Sequence, residues 1–278
     1  MEATLLKSHK TFEGQTQFWE HDSVSTKTKM KFSTYIPTGL VKGCVIWLSG
    51  LTCTDENFIT KAGAQKYLAE HQLMVICPDT SPRGLQLPGE HDSYDFGSGA
   101  SFYVDAKTEG YSEHYNMFSY ITNELYELIQ NQFQIPKNKV SIMGHSMGGH
   151  GALVIGLRES SKFQSISAFA PITNPTLAPW GKKAFTGYLG EDQDIWKQYD
   201  ATELIRSGAR HPNEILIDQG LADEFYLKAQ LLPSHFEKSC EVADQKLKMH
   251  YRADFDHSYY FIATFIESHI QHHAKFLA

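Results

Sequence analysis

Short apolar runs alternate with helical patterns along most of this chain, and that alternation limits the possible folds more than any other feature. Apolar residues recur at three- and four-residue spacing in three segments, which predicts helices over residues 57–70, 116–132 and 258–274. The apolar runs between these segments have the length and continuity of strands buried on both faces of a parallel sheet. We predict such strands within residues 44–50, 73–79, 140–146, 165–171, 214–220 and 246–252.

The first part of the chain has a different pattern. Residues 4–36 contain the stretches TQFWEHDS and KMKFSTYIP, which are typical of strands, with Gly14 and the pair Asp22-Ser23 as turn signals. We predict antiparallel strands there, ahead of a mostly parallel central sheet with helices on both faces. Because no linker, repeat or low-complexity block divides the chain, residues 1–278 are predicted to form a single α/β domain.

Charge and composition argue against several classes of function. The net charge is −7 and lysine and arginine form no dense run, so we expect no binding to nucleic acid or to an anionic membrane. The N-terminus lacks the pattern of a secretory signal, and no apolar run approaches the roughly 20 residues that span a bilayer. Four cysteines without a C-x-x-C pair are typical of reduced thiols. We therefore predict a cytoplasmic location.

One serine lies in a glycine-rich turn between a predicted strand and a predicted helix. VSIM runs into GHSMGG, in which Gly144 and Gly148 flank Ser146, and GHGALVIGLRES follows with a helical pattern. This is the context of a nucleophile elbow, where a side chain two residues from the serine would clash with its surroundings. The exposed hydroxyl would lie above a helix N-terminus, whose dipole favours an oxyanion. The alternative is an incidental serine in a glycine-rich turn.

A serine hydroxyl is a weak nucleophile, and it needs a base that a third group orients. In elbow-containing folds the acid and then the histidine follow the serine along the chain. Asp223 follows the apolar run ILID, and His257 follows the next run, KLKMHYR. Because ligands bind at the carboxyl ends of the strands in such sheets, we expect these side chains to meet there. We predict a triad in which Ser146 is the nucleophile, His257 the base and Asp223 the acid.

Three other aspartates compete with Asp223 as the partner of His257. Asp218 lies at the end of its predicted strand, and we expect it to cap the following loop. Asp254 and Asp256 are too close to His257 in sequence to reach its far ring nitrogen easily, although the sequence alone leaves both open.

An oxyanion hole needs backbone N–H groups beside the nucleophile. One would come from Met147, directly after the serine, and the other from the loop after an earlier strand. The stretch VIWLSGLTCTDEN fits that loop, because Ser49-Gly50 turns the chain there. We predict the N–H of Leu51 as the second donor, and the alternative is a plain polar loop.

Eight stretches between about residue 5 and residue 275 carry a resemblance that is more specific than the serine pentapeptide. They are LSGLTCTDENF, PDTSPRG, GEHDSYDFGSGASFYVDA, HYNMFSYI, GHSMGGHGAL, NPTLAPWGKKAFTGYLG, IDQGLADEF and DHSYYFI. Together they make the chain similar to the S-formylglutathione hydrolases, also called esterase D. The triad of that family matches Ser146, Asp223 and His257, and its oxyanion positions match Leu51 and Met147.

The resemblance implies an α/β-hydrolase fold and a cytoplasmic serine thioesterase. Such an enzyme releases formate and glutathione from S-formylglutathione in formaldehyde detoxification, with side activity on short-chain esters. The resemblance further implies a homodimer without a metal or other cofactor. The chain departs from the family at Gly110-Tyr111, where many members have Pro-Trp. Two alternatives stay open: a general short-chain carboxylesterase, and an inactive hydrolase fold used for binding, which usually lacks a triad residue.

Two residues are candidates for the substrate pocket. Cys53 lies in the loop that we expect to carry an oxyanion donor, and Trp180 matches a pocket residue of the family; an inert thiol and a core tryptophan are the alternatives. His145 is expected to point away from the neighbouring serine. His269 and His273 have a spacing that can bind a metal, but no carboxylate or thiolate pattern accompanies them, so we predict no metal site.

Overall fold

The computed structural model describes residues 2–278 and shows one continuous sheet of nine strands in that part of the chain. The strands are β1 (Thr4–Thr11), β2 (Gly14–Asp22), β3 (Lys29–Pro37), β4 (Gly43–Leu48), β5 (Leu73–Pro78), β6 (Val140–His145), β7 (Ile166–Phe169), β8 (Ile215–Gly220) and β9 (Leu247–Arg252). Their order across the sheet is β1-β2-β3-β5-β4-β6-β7-β8-β9. β4 to β9 are parallel to one another, whereas the pairs β1–β2, β2–β3 and β3–β5 are antiparallel. The predicted sheet is confirmed.

Each of the six predicted apolar runs contains a strand. β4 to β8 are buried along their whole length, as continuous apolar runs require. β9 is only partly buried because it is the edge strand on its side of the sheet. The opposite edge strand, β1, is almost entirely exposed, and its sequence TLLKSHKT contains the lysines that are typical of protected sheet edges.

Eleven helical segments connect the strands within residues 2–278. They are α1 (Glu56–Lys61), α2 (Gln65–His71), α3 (Met117–Ser119), α4 (Tyr126–Asn131), α5 (Met147–Arg158), α6 (Pro179–Leu189), α7 (Gln193–Lys197), α8 (Ala201–Arg206), α9 (Glu224–Leu227), α10 (Pro233–Val242) and α11 (Tyr259–Leu277). The predicted helix over residues 116–132 is present, but a π-helical segment, Tyr120–Leu125, joins α3 to α4. In the described part of the chain, no helix combines the length and the hydropathy of a membrane crossing.

Helices cover both faces of the sheet. α8 packs against α5 and α10 on one face, and α2 packs against α11 on the other. β7 contacts both layers, because its side chains alternate between the faces. Ile166 lies against Gly156 of α5, whereas the ring of Phe169 stacks on His269 of α11 with centroids 3.8 Å apart. The prediction of helices on both faces is therefore confirmed.

A chain of buried hydrogen bonds joins the sheet to α11. Asp218 in β8 accepts hydrogen bonds from His269 Nε2 at 2.8 Å and from Arg252 Nε at 2.5 Å. Because His269 Nε2 donates to a carboxylate, its Nδ1 accepts the hydrogen bond from Ser167 Oγ at 2.8 Å. Ser167 Oγ in turn contacts His273 Nε2 at 2.8 Å. These contacts fix the position of α11 on β7 and β8.

The prediction that Asp218 caps a loop is wrong. Its side chain is fully buried. Burial alone would raise the pKa of Asp218, but the hydrogen bonds and charges of His269 and Arg252 outweigh burial and lower the pKa. Asp218 is thus a charged structural group. Both ring nitrogens of His269 and of His273 are engaged by protein groups, so neither ring has a free nitrogen for a metal.

Gly110 and Tyr111, where the chain departs from the family pattern, lie in a turn that other contacts of the chain support. Gly110 has a φ of +87°, which glycine adopts readily and which proline, with φ near −65°, cannot adopt. Tyr111 is buried, and its hydroxyl donates to Pro88 O at 2.9 Å. Its ring packs against Phe96 and Tyr188. The turn is therefore anchored by this tyrosine.

Candidate active site

Ser146 occupies a sharp turn between β6 and α5. β6 ends at His145 and α5 begins at Met147, and the serine between them has φ of +57° and ψ of −119°. A residue other than glycine with positive φ is strained, and such strain clusters at active sites. Ser146 N donates to Phe169 O at 2.9 Å, which helps to hold the turn. The serine thus lies at the carboxyl edge of the sheet and at the N-terminus of a helix.

Close backbone contacts require the two glycines of this turn. A Cβ on Gly144 would lie 2.8 Å from Leu48 O, and a Cβ on Gly148 would lie 2.6 Å from Ser49 O. Real Cβ atoms essentially never approach another atom so closely. The end of β4 therefore passes so near the elbow that no side chain fits at either glycine.

Asp223 and His257 form a hydrogen-bonded pair. They lie in the loops after β8 and β9, which are adjacent parallel strands, and His257 Nδ1 is 2.5 Å from Asp223 Oδ2. The buried carboxylate also accepts hydrogen bonds on Oδ1 from Phe225 N at 2.8 Å and from Tyr226 N at 3.3 Å. Because Nδ1 of His257 donates to the carboxylate, its Nε2 is left as the acceptor that a base requires.

The competing aspartates have other positions. Asp256 accepts hydrogen bonds from Ser258 N at 3.0 Å and from Ser258 Oγ at 2.6 Å, at the start of α11. Asp254 lies in a left-handed turn with a φ of +65°. The carboxylate that contacts the His257 ring is that of Asp223.

Ser146 and His257 line the same cavity. Among the described residues, the hydrogen bond of the His257 ring is the one to Asp223, so the serine hydroxyl is not bonded to the ring in this conformation. Catalytic hydrogen bonds of this kind often form only when the substrate is bound. The two residues therefore face one cavity.

His145 does not point away from the site, so that prediction is wrong. Its ring lines the same cavity and packs against the ring of His257 with centroids 4.4 Å apart. Burial lowers the pKa of His145 well below its usual value, and the proximity of His257 lowers it further. His145 is therefore neutral, and a positive charge on His257 would meet no second charge there.

Two backbone N–H groups are available beside the serine. Within residues 2–278, neither Leu51 nor Met147 donates its N–H to an acceptor. Leu51 follows Gly50, where a Cβ would lie only 3.2 Å from Ser146 Cβ. Met147 is the first residue of α5, and the first N–H groups of a helix have no partner within it. Both predicted oxyanion donors therefore lie next to Ser146.

The segment that carries Leu51, residues 49–54, is here called the oxyanion loop, and an ion pair holds it. Arg83 Nη2 donates to Cys53 O at 2.9 Å and to Asp79 Oδ1 at 2.7 Å. Thr80 Oγ1 donates to the same Cys53 carbonyl at 2.6 Å. The side chains that bind the Cys53 carbonyl belong to the stretch PDTSPRG, which is part of the family resemblance. The structure shows that this segment positions the oxyanion loop.

Residues 97–104 form a second support, which contacts both the oxyanion loop and Met147. Tyr103 Oη donates to Ser49 O at 2.9 Å, in the oxyanion loop. Phe102 N donates to Met147 Sδ at 3.4 Å, at the start of α5. Both hydrogen bonds are buried, so the two sides of the predicted oxyanion hole are held by one segment.

Ser146 and His257 face a cavity of about 360 Å³, which is in the range of small-molecule sites, roughly 300–1,000 Å³. One side of the cavity is aromatic. The ring of Trp180 packs on Phe225 with centroids 4.7 Å apart, and Trp180 Nε1 donates to Tyr94 Oη at 3.3 Å. A larger groove of about 570 Å³ between α10 and β9 is lined by none of these residues.

The two residues predicted for the substrate pocket, Cys53 and Trp180, both line this cavity. Burial raises the pKa of the Cys53 thiol, and nearby positive charges only partly oppose that rise. Tyr94, Phe225 and Tyr259 line the cavity as well. Sequence reasoning missed these three because a single aromatic residue near a loop carries no periodic signal.

The predicted nucleophile follows β6, and the predicted acid and base follow β8 and β9, which is the order of the α/β-hydrolases. The chain is a serine hydrolase of that class. The sequence profile of the family described as Putative esterase matches residues 23–272. An S-formylglutathione hydrolase of Rattus norvegicus is 51% identical over 280 residues, which cover 100% of this chain and 99% of that protein.

An S-formylglutathione hydrolase of Arabidopsis thaliana is 50% identical over 277 residues, which cover 98% of this chain and 97% of that protein. The solved structure of an S-formylglutathione hydrolase from Agrobacterium tumefaciens superposes with a TM-score of 0.95 at 43% identity, over 99% of each chain. The chain therefore belongs to the S-formylglutathione hydrolase family of esterases.

Replacing Asp223 tests the predicted acid. In Asp223→Asn, the side-chain amide favours the wrong tautomer of His257, so kcat should fall by about 10⁴. Asp254→Asn is the matched control and should leave kcat nearly unchanged, because Asp254 is not the carboxylate that contacts the ring. Steady-state kinetics on a chromogenic acetate ester measure both. A larger loss in Asp254→Asn than in Asp223→Asn would show that the acid is wrongly chosen.

Arg83→Met tests the support of the oxyanion loop. Removing an oxyanion donor outright costs about 10²–10³ in kcat, and a displaced loop should cost part of that, with little change in KM. Binding of a boronic acid that mimics the tetrahedral intermediate should weaken in parallel. The control is Arg210→Met, because Arg210 binds Ala243 O and Ile205 O away from the loop. Equal kinetic effects of both substitutions would contradict the assignment.

Alkylation tests the position of Cys53. Its thiol lines the cavity, whereas Cys44, Cys77 and Cys240 are buried. Iodoacetamide should therefore inactivate the protein through Cys53, and the rate should rise with pH because burial raises the pKa of this thiol. Cys53→Ser should be active and insensitive to the reagent. Unchanged sensitivity in Cys53→Ser would place the reactive thiol elsewhere.

Proposed function

We propose that the protein hydrolyses S-formylglutathione to formate and glutathione, with side activity on short-chain esters. The substrate assignment rests on one observation: proteins named S-formylglutathione hydrolase are about half identical to this chain over its whole length. The reaction type is supported by the cavity that Ser146 shares with His257 and by the hydrogen bond between His257 and Asp223.

In the acylation step, Ser146 Oγ would attack the carbonyl carbon of the formyl group while His257 Nε2 accepts the hydroxyl proton. The carboxylate of Asp223 would stabilise the resulting imidazolium. The N–H groups of Leu51 and Met147 would donate to the oxyanion of the tetrahedral intermediate. The C–S bond then breaks, the electron pair leaves with sulfur, and His257 returns the proton to it. A thiol pKa near 8.5 makes this a better leaving group than an alcohol.

In the deacylation step, water would attack the formyl ester on Ser146 while His257 accepts a proton from the water. The second tetrahedral intermediate uses the same two N–H donors. When it collapses, the bond to Ser146 Oγ breaks, His257 returns the proton to the serine, and formic acid leaves and loses its proton to water as formate. Each proton transfer in this scheme uses His257, so the scheme requires no metal or other cofactor.

The aromatic side of the cavity supports a small acyl group. Trp180 is only 5% exposed, and its backbone N–H donates to Gln230 Oε1 at 3.0 Å, which limits its movement. Phe225 packs on Trp180 and also lies 4.8 Å from the His257 ring, measured between centroids. We place the acyl group against these rings. A formyl group needs little room there, whereas longer acyl chains would press on fixed rings.

The proposal also covers the location of the protein, its oligomeric state and the process that it serves. By its resemblance to the family, we propose that it is a cytoplasmic homodimer that serves formaldehyde detoxification. Light scattering on the purified full chain tests the dimer directly, and a monomeric mass at all concentrations would contradict it.

A substrate series tests the proposed function. The value of kcat/KM should be highest for S-formylglutathione, lower for S-acetylglutathione and lowest for a butyrate ester, because the acyl wall is rigid and a thiolate leaves more easily than an alkoxide. All three are measured under one condition. A clear preference for the butyrate ester would instead indicate a general short-chain carboxylesterase, and absence of all turnover would indicate an inactive fold.

Ser146→Ala is the control for the series. It should lower turnover of all three substrates by about 10⁴–10⁶ while leaving the free energy of unfolding nearly unchanged, because the hydroxyl serves chemistry and not packing. Turnover within tenfold of the parent would remove Ser146 from the mechanism.

A further inference from the structure

The active-site cavity has two chemically different ends. A path of neighbouring rings lines it, with successive centroids 4.4 to 6.4 Å apart, in the order Tyr94, Trp180, Phe225, His257, His145 and Tyr259. Beyond the last ring, Lys61 Nζ lies 5.7 Å from the centroid of Tyr259. The aromatic end and the cationic end are therefore on opposite sides of His257 along this path.

Helix α1 supplies the cationic end. Asn57 and Lys61 lie four residues apart, so they share one face of the helix, and both line the cavity. Asn57 Oδ1 accepts hydrogen bonds from Thr54 N at 2.8 Å and from Thr54 Oγ1 at 3.3 Å. That leaves Asn57 Nδ2 as a donor without an acceptor among the described residues. The amide donor thus has a fixed orientation and is available to a ligand.

The charge of Lys61 is not balanced by a neighbouring acid. Within residues 2–278, no carboxylate lies within 4.0 Å of its ammonium group, and no aspartate or glutamate lines the cavity. Lys61 is exposed at the cavity mouth. Its positive charge nevertheless reaches groups in the cavity, because it opposes the rise that burial causes in the pKa of Cys53. On a chain of net charge −7, such a local positive charge favours the entry of an anion.

The thiol part of the proposed substrate is an anion of suitable chemistry. Glutathione carries two carboxylates and one ammonium group, whereas its formyl group is uncharged. An ammonium and an amide donor one helical turn apart can bind the two oxygens of one carboxylate. We propose that Asn57 Nδ2 and Lys61 Nζ form a carboxylate-binding subsite for the leaving thiol, an assignment that rests on the proposed function.

This subsite gives the substrate one orientation in the cavity. The formyl group lies towards Trp180 and Phe225, the sulfur lies at Ser146 and His257, and the glutathionyl part extends along α1 to the mouth. Selectivity then has two sources: the aromatic end limits the acyl group, and the α1 end selects thiols that carry a carboxylate.

Lys61→Met tests the subsite, because methionine keeps the apolar stem and removes the charge. The substrates are S-formylglutathione and S-formyl-N-acetylcysteamine, which has the same reacting group and no charge. The ratio of their kcat/KM values should fall by about tenfold, the effect of one charge-assisted hydrogen bond. The loss should appear in KM for S-formylglutathione. Added salt should weaken binding of S-formylglutathione in the parent and much less in the variant.

Two further variants sharpen this test. Asn57→Asp keeps the oxygen that accepts from Thr54 but replaces the amide donor by a repelling oxygen, so the ratio should fall here too. Lys10→Met is the matched control, because Lys10 is exposed on edge strand β1 and does not line the cavity. It should leave the ratio unchanged.

Amides of the substrate identify the carboxylate that is bound. S-formyl derivatives of glutathione with either the glycine or the γ-glutamyl carboxylate converted to an amide are compared in the parent and in Lys61→Met. The carboxylate in the subsite is the one whose amide abolishes the difference between the two proteins.

The possible results distinguish a failure of the proposed subsite from a failure of the proposed function. If the parent does not hydrolyse S-formylglutathione, the proposed function fails. If the parent hydrolyses it and Lys61→Met keeps the parent's ratio, the subsite is wrong and the proposed function stands. An equal loss for the charged and the uncharged thioester would also overturn the subsite, because it would show a general effect on catalysis.

Discussion

The site depends on the close approach of two backbones at the end of the sheet. The carbonyls of Leu48 and Ser49 lie so near the elbow that only glycine fits at 144 and 148. That contact fixes the strained turn at Ser146, and it also places the oxyanion loop beside the serine. The predicted nucleophile and the predicted oxyanion donors are therefore positioned by main-chain packing of β4 against β6 and α5.

Two buried aspartates, Asp218 in β8 and Asp223 in the loop after it, have different roles because their surroundings differ. Asp218 is paired with Arg252 and His269, so its charge is balanced within the structure. No arginine pairs with Asp223; its oxygens accept hydrogen bonds from two backbone N–H groups, from Gln219 Nε2 at 3.3 Å and from His257. Its negative charge is therefore directed mainly at His257, which is the arrangement that stabilises a positive charge on the ring.

Features that depend on local sequence patterns were predictable. The strands β4 to β8 have continuous apolar runs, and the elbow has glycines at the positions that a tight turn requires. Two features that depend on contacts between distant segments were wrongly predicted. The direction of the His145 ring depends on the approach of the His257 loop, and the role of Asp218 depends on Arg252 and on α11. In the sequence, Lys61 is an ordinary lysine of a predicted helix. Only the fold shows that the face of α1 that carries Lys61 borders the cavity. The π-helical segment Tyr120–Leu125 was not predictable either, because its apolar residues have the same spacing as those of an α-helix.

The predicted oxyanion hole consists of backbone groups, whereas side chains from several separate segments of the chain line the cavity. Trp180 belongs to α6, Phe225 to α9 and Lys61 to α1, and Tyr94 lies in the long connection after β5. The backbone N–H of Phe225 binds Asp223, but its ring is not part of that bond. Substitutions in the walls can therefore alter which acyl groups and thiols are accepted without removing an oxyanion donor. A scaffold of this kind can acquire new substrates through single side-chain changes while its reaction chemistry is inherited intact.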